Sequence, residues 1–105
     1  MKKSVSYHEH LMESLQDPEE ASGYLNAALA DGDIQVFLLA LQDVIQAYGG
    51  IAKIARKTHK SRTSLYRSLS ENGNPYLKSI RELLSVMGMH IYISHKITFK
   101  KTRAR

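Results

Sequence analysis

Apolar residues recur every three or four positions through most of the chain, which is the spacing of a helix with one buried face. The pattern is clearest between residues 34 and 48, where one wide face carries Ile34, Phe37, Leu38, Leu41, Val44, Ile45 and Tyr48. The opposite, solvent side carries Gln35, Gln42, Asp43 and Gln46. Asp33 precedes this segment as an N-cap, and Gly49-Gly50 follows it with the positive-φ freedom that ends helices. We therefore expect the core helix of the protein here.

An earlier segment also predicts an amphipathic helix. Asp17 can cap it, Pro18 suits the first helical position and Gly32 closes it. Its apolar face carries Ala21, Tyr24, Leu25, Ala28 and Leu29. Before it, YHEHLMESL gives a weaker helical signal, which favours one or two turns.

Two short helices, about 51–58 and 62–70, follow the core helix, with Ser61 as the N-cap of the second. The turn-rich ENGNP then leads to a fifth helix that opens at Pro75 and ends at Gly88. The apolar face of this fifth helix carries Leu77, Ile80, Leu83, Leu84 and Met87.

The period changes to two after Gly88, which predicts a β-strand over residues 89–99. A lone strand leaves backbone donors and acceptors without partners, and an antiparallel ladder with a second copy would satisfy them. We therefore expect a homodimer in which Met89, Ile91 and Ile93 lie at the interface. A small hairpin, or pairing with the N-terminal segment, is the alternative.

These elements predict a mainly α fold: a five-helix, repressor-like helix-turn-helix domain with an N-terminal helical extension and a short C-terminal β-strand. The extension covers residues 1–33 and is part of one domain, the helix-turn-helix unit covers 34–88, and the strand with a basic tail covers 89–105. A chain of 105 residues is long enough for one modest core.

The net charge of +5 divides unevenly along the chain. Residues 1–50 carry two lysines against eight acidic residues, a net of −6, whereas residues 51–105 carry a net of +11. So bipolar a distribution indicates one surface for a polyanion and another for a basic partner. An unevenly charged but merely solvated surface is the alternative. We expect the basic tail KKTRAR to be a solvated end of the chain, whose positive charge adds attraction to phosphates.

The composition also excludes several classes of function. The absence of cysteine rules out disulfides and thiolate metal sites. Neither a signal peptide nor an apolar run of about 20 residues is present, so we expect a cytoplasmic protein with no membrane role. His8 and His10 lie on different sides of a helix without a further clustered ligand, His90 and His95 fall on opposite faces of the predicted strand, and no catalytic constellation can be argued. We expect no enzymatic activity, no metal and no cofactor.

The two short helices have the pattern of a helix-turn-helix. Ala55 supplies the small residue that two steeply crossed helices need, while Ile54, Leu65 and Leu69 point into the core. The residues left to read bases in a major groove are Ser61, Arg62, Thr63, Tyr66 and Arg67. The residues that could contact phosphates are Lys53, Lys57, Lys60, Asn72, Asn74, Lys78 and Ser79. Arginine can pair with guanine through two hydrogen bonds, and lysine can neutralise backbone charge.

The sequence resembles a known family over about residues 7–93. YLNAAL, DGD followed by FLLAL, GGIAKIA, SLYRSLS and GNP occur in the order and spacing of the addiction-module antidote proteins. These are antitoxins with a Cro/repressor-type, HigA-like helix-turn-helix. The resemblance implies a dimeric bacterial antitoxin of a type II toxin–antitoxin module. Such a protein binds double-stranded operator DNA in its own operon and neutralises a RelE/ParE-like toxin, often an mRNA interferase.

The chain departs from this family in the turn, where members usually have Gly and then Leu, and this sequence has His59 and Lys60. Positive φ at a non-glycine residue costs about 1 kcal/mol, and His tolerates it better than most. We expect the motif to survive with a less stable turn. The alternatives are a stand-alone repressor without a toxin partner, or a helical interaction module that has lost DNA binding.

Overall fold

The computed structural model describes residues 6–70 and 74–96, and in this part of the chain it contains six helices. Their bounds are α1 Tyr7–Ser14, α2 Pro18–Ala30, α3 Ile34–Ala47, α4 Ile51–Thr58, α5 Arg62–Ser68 and α6 Leu77–Val86. The weak N-terminal signal thus corresponds to a complete helix. The mainly α character predicted from the periodicity is confirmed.

Side-chain caps explain why several helices begin where they do. Asp17, Asp33 and Ser61 each accept a hydrogen bond from a backbone N–H in the first turn of α2, α3 and α5, as the sequence predicted. At the start of α1, Ser6 and Glu9 bond reciprocally in a capping box. The starts of these four helices are therefore encoded locally.

The helix α3 lies at the centre of the fold. The helices α1 and α2 both pack against it, α4 follows it at a bend of 92°, and α4 packs against α5 and α6. The buried side chains form one cluster, which contains Leu15, Ala21, Leu25, Phe37, Leu38, Ala40, Leu41, Val44, Ile45, Ile54, Ala55, Leu65, Leu69, Ile80, Leu83, Leu84 and Met87. Because this cluster includes residues of α2 and of the segment after α1, the N-terminal part shares one core with α3 to α6.

The bend between α3 and α4 depends on two glycines. Gly49 and Gly50 have φ values of 118° and 95°, a region that strains any residue with a Cβ. The N–H of Gly50 still bonds to the carbonyl of Ile45 at 2.9 Å, which closes the end of α3. The two glycines therefore turn the chain sharply without leaving this helix end unpaired.

Three residues predicted on buried faces are exposed, so those predictions are wrong. Leu29, Ile34 and Leu77 expose 53%, 53% and 64% of their surface. Ile34 and Leu77 are the first residues of their helices, and Leu29 lies in the last turn of α2. Periodicity identifies the face of a helix, but it does not show where the neighbouring helix stops covering that face.

The predicted C-terminal strand is not seen in the residues that the structure describes. Residues 89–96 have no regular secondary structure, and the N–H of Met89 bonds to the carbonyl of Leu84 at 2.8 Å, as in a helix end. The rest of the predicted strand, residues 97–99, lies outside the described part. An alternating pattern supplies side chains for a sheet, but a strand also needs a backbone partner, and residues 6–70 and 74–96 provide none for this segment.

Two helix ends also differ from the prediction. The helix α5 ends at Ser68 instead of residue 70, and α6 begins at Leu77 after Tyr76 as its N-cap, instead of opening at Pro75. Within residues 6–70 and 74–96, no single helix is both long and apolar enough to cross a membrane. The pair α3 and α4 reaches that length and composition together, but it is bent by 92°.

Candidate nucleic-acid interface

The turn between α4 and α5 has the left-handed conformation that the sequence predicted for His59. This residue has φ 60° and ψ 27°. Among the described residues, it is the only one other than glycine that has a positive φ. The backbone N–H groups of His59 and Lys60 both bond to the carbonyl of Ala55, the latter at 3.2 Å. The hydroxyl of Thr58 donates to the same carbonyl at 3.1 Å. These bonds close the end of α4 and direct the chain into α5.

The contact between the two helices is built from small and apolar residues. Ala55 is 4% exposed where α4 packs against α5. Ile54, Leu65 and Leu69 expose no more than 2% of their surface, which confirms their predicted inward orientation. Because Leu65 and Leu69 bury one face of α5, the residues on its opposite face are exposed to solvent.

The outward face of α5 carries four predicted base-reading residues. Arg62, Thr63, Tyr66 and Arg67 are all exposed and, together with Ser70, line one shallow depression of about 480 Å³. Ser61 is also exposed, but its hydroxyl oxygen accepts the N–H of Ser64 at 2.9 Å and so serves as the N-cap. The structure therefore brings Arg, Thr and Tyr side chains together on one free helical surface.

Exposed cations also occur on α4, which packs against α5, and on α6, which packs against α4. Of the residues predicted to contact phosphates, Lys53, Lys57, Asn74 and Lys78 are exposed and Ser79 is half-buried. Asn72 lies outside the described residues. Arg56 and Arg81 are exposed on the same helices and were missed in the sequence analysis. The exposure of Arg56 could have been predicted from helical spacing, since residues 53, 56 and 57 share the face of α4 opposite Ile54 and Ala55.

Lys60 has a partner that the sequence did not reveal. Its ammonium lies 3.0 Å from the carboxylate of Glu82 on α6. The hydrogen bond from Lys60 lowers the pKa of the Glu82 carboxyl below its ordinary value. The ion pair ties the turn to α6, so Lys60 is less free to contact a phosphate than the exposed lysines of α4.

Gln42 was predicted to face solvent, but it is half-buried and reaches from α3 to α5. Its side-chain amide donates a hydrogen bond to the backbone carbonyl of Leu69 at the end of α5. Beside this bond lies an open groove of about 430 Å³. The groove is lined by Leu39, Gln42, Ile45, Gln46, Gly50, Ile51, Tyr66, Leu69 and Ser70.

The opposite half of the protein is acidic. Residues 6–50 contain eight acidic residues and neither Lys nor Arg. Glu9, Asp17 and Asp33 serve in helix caps, and Asp43 accepts a hydrogen bond from Tyr24. The remaining four, Glu13, Glu19, Glu20 and Asp31, are exposed. The charge asymmetry of the sequence therefore becomes an acidic surface on α1 and α2 and a basic one on α4 to α6.

The residues predicted at a dimer interface differ in exposure. Met89 is half-buried against the core, whereas Ile91 and Ile93 expose 40% and 88% of their surface. Tyr92 between them is 80% exposed. Dimerisation through this segment stays a prediction. Within the described residues, no group of three or more His, Asp or Glu side chains is arranged to hold a metal ion.

Comparison with known proteins agrees with the resemblance read from the sequence. The family model of probable addiction module antidote proteins matches residues 7–95. A protein of Haemophilus influenzae described only as uncharacterized is 32% identical over 81 residues, which cover 77% of this chain and 82% of that protein. No solved structure gives a significant match. The chain belongs to the family of probable addiction module antidote proteins.

Proposed function

We propose that the protein is the antitoxin of a type II toxin–antitoxin module, which represses its own operon by sequence-specific DNA binding and neutralises a RelE/ParE-like toxin by protein binding. An antidote implies a cognate toxin as its partner. Membership of the antidote family supplies only the antitoxin role. This proposal adds a Cro-like, HigA-like DNA-binding motif, autorepression of the operon and the class of the toxin.

The observation that supports DNA binding best is the exposed face of α5. Arg62, Thr63, Tyr66 and Arg67 project from a short helix whose other side is anchored by buried Leu65 and Leu69. A helix held in this way can enter a major groove, where Arg can bond guanine and Thr or Tyr can contact a thymine methyl group. Ser61 and Arg62 stand at its N-terminal end, which lies closest to the bases in a helix-turn-helix.

The charges around α5 support the same function. Lys53, Arg56 and Lys57 on α4, and Lys78 and Arg81 on α6, are exposed on the helices that precede and follow α5 in the chain. Cations in this position neutralise phosphates and release condensed counterions, which supplies affinity but no sequence information. The basic helices would therefore hold the duplex while α5 reads it.

A repressor of this kind is expected to bind as a dimer. Two copies of α5 that read successive major grooves on one face of DNA would lie about 34 Å apart, so the operator should be palindromic. Ile91 and Ile93 expose apolar side chains and are the candidate contacts between copies. This arrangement leaves the acidic surface of α1 and α2 free for the toxin.

An electrophoretic mobility shift titration tests the DNA-binding part. The full-length protein should retard the DNA upstream of its own operon at concentrations that leave a shuffled duplex of the same composition free. The double variant Arg62→Ala with Arg67→Ala should lose this preference while it keeps its helical circular dichroism. Equal retardation of both duplexes by the unmodified protein would contradict sequence-specific binding.

Co-expression tests the antitoxin part. The product of the neighbouring reading frame should arrest growth when expressed alone, and this protein should restore growth and co-purify with it. A harmless neighbour, together with intact operator binding, would instead identify a stand-alone repressor. Loss of operator binding with intact toxin neutralisation would identify an antidote that acts only through protein contacts.

A further inference from the structure

We infer that Gln42 of α3 is a positioning residue for DNA reading, because it fixes the C-terminal end of α5 through the backbone carbonyl of Leu69. The inference rests on the proposed DNA-binding function. It gives a residue outside the two short helices α4 and α5 a role in operator specificity, although its side chain belongs to neither the base-reading nor the phosphate-contacting set.

The geometry of α5 explains why such a residue matters. The helix has only seven residues and packs mainly on α4. An open groove of about 430 Å³ lies between α3 and the outer part of α5, with the buried side chains of Ile45 and Leu69 among its lining. Since this groove removes packing from one side of α5, the angle of its C-terminal end depends on few contacts.

The hydrogen bond from Gln42 crosses this weakly packed region. Leu69 is the C-cap of α5 and is 1% exposed, so its carbonyl has little access to water. The last carbonyls of a helix have no partner within the helix, and a side-chain amide is a suitable donor for one of them. Gln42 therefore satisfies a buried acceptor and joins α5 directly to the central helix.

The other end of α5 is held separately. Ser61 caps its first turn, and the ion pair between Lys60 and Glu82 ties the preceding turn to α6. Without Gln42, the C-terminal end of α5 would be held only by the apolar packing of Leu69, and Arg67 and Ser70 beside it would be positioned less sharply. Base contacts depend on such positions, whereas attraction to phosphates depends mainly on charge.

The substitution Gln42→Met tests the inference, since Met keeps the length of the side chain and removes the donor. Gln46→Met is the matched control, because Gln46 lies one turn further along α3 and lines the same groove. Affinities for the operator duplex and for a shuffled duplex are measured by fluorescence anisotropy with full-length protein. Melting temperatures and amide hydrogen exchange of Ser70 are measured on the same samples.

Gln42→Met should weaken operator binding by roughly tenfold, the equivalent of one well-placed hydrogen bond and the contact it aligns. Binding to the shuffled duplex should change by less than about twofold, because no charge is altered. Hydrogen exchange at Ser70 should become faster, and Gln46→Met should behave like the unmodified protein in all assays. Equal operator affinity for the two variants would overturn the inference. Absence of operator preference in the unmodified protein would instead overturn the proposed function.

A folding defect is distinguished by its pattern. If Gln42→Met merely unfolded the protein, affinity for both duplexes would fall together and the melting temperature would drop, which would also count against a positioning role. Gln42→Lys provides the rescue, because its ammonium restores a donor toward the Leu69 carbonyl. The ratio of operator to shuffled affinity should then recover, whereas the added charge alone would raise both affinities together.

Discussion

The hydroxyl of Tyr24 donates a hydrogen bond of 2.7 Å to a carboxylate oxygen of Asp43, which joins α2 to the central helix α3. Burial and this bond to Asp43 raise the pKa of Tyr24 to about 12. The folded protein therefore holds the phenolic proton more tightly than the unfolded chain does. The stability that this proton provides is complete below pH 10 and is lost as the pH rises toward 12.

The first prediction concerns this bond. Tyr24→Phe should lower the free energy of unfolding by about 1 kcal/mol at pH 7, since Asp43 loses a donor. It should also reduce the loss of stability between pH 10 and 12. Urea denaturation at several pH values measures both effects. Tyr92→Phe, at an 80% exposed position, is the control and should leave stability unchanged.

The second prediction concerns the turn between α4 and α5. His59→Gly should raise the free energy of unfolding by about 0.5–1 kcal/mol, because glycine adopts φ 60° without the steric cost that a Cβ brings. His59→Ala should lower it, since alanine lacks the tolerance of His for this conformation. Thermal denaturation checks both. A melting temperature for His59→Gly at or below that of the unmodified protein would show that the turn is unstrained.

The third prediction concerns Lys60 and Glu82. Lys60 lowers the pKa of the Glu82 carboxyl, so the ionised carboxylate stabilises the folded protein at pH values above the ordinary carboxyl pKa of 4.5. Glu82→Gln removes this carboxylate and should therefore lower the free energy of unfolding in that pH range. The difference between the two proteins should shrink as the pH falls below 4 and as salt is added, because the pair is partly exposed. Glu19→Gln, in the first turn of α2, removes only a favourable interaction with the helix dipole, so both trends should be weaker in this variant.

The fourth prediction separates base reading from phosphate binding. Arg62→Ala or Arg67→Ala should weaken operator binding by about 1–3 kcal/mol and have a smaller effect on unrelated DNA. Lys53→Ala should weaken binding to every sequence and reduce the slope of log K against log salt by about one. Titrations at three salt concentrations distinguish these behaviours. If operator affinity is unchanged in both arginine variants, α5 is not the helix that reads the bases.

The fifth prediction concerns the acidic surface. Asp31 is the C-cap of α2, where the helix dipole disfavours a negative charge. Asp31→Asn should therefore raise the free energy of unfolding by about 0.3–1 kcal/mol. If a basic toxin binds here, the same change should weaken toxin capture and leave operator binding intact. Calorimetric titration with the purified toxin measures this, and unchanged toxin affinity would place the toxin elsewhere.

Much of the fold could be predicted because its signals are local. Caps at Asp17, Asp33 and Ser61 and the buried face of α3 need only neighbouring residues to be recognised. The positive φ of His59 was also predictable from the family pattern, since the turn geometry constrains whichever residue stands there. The outward set on α5 followed from the burial of Leu65 and Leu69.

The missed features are contacts between residues far apart in the chain. Gln42 reaches Leu69 and Lys60 reaches Glu82 across different helices, and periodicity along one helix cannot pair such side chains. The predicted strand failed for the same reason, because its alternating residues say nothing about a backbone partner. Exposure of Ile34 likewise depends on where a second helix ends.

Two consecutive residues of α3 bond to different neighbours, since Asp43 accepts from Tyr24 of α2 and Gln42 donates to the end of α5. Insertion or deletion of a single residue in the first half of α3 would rotate this pair by about 100° relative to the preceding turns. Neither bond could then form with α2 and α5 both in place. Relatives that differ in length should therefore carry their insertions and deletions in the connections around residues 31–33 and 70–76, and keep the length of this helix fixed.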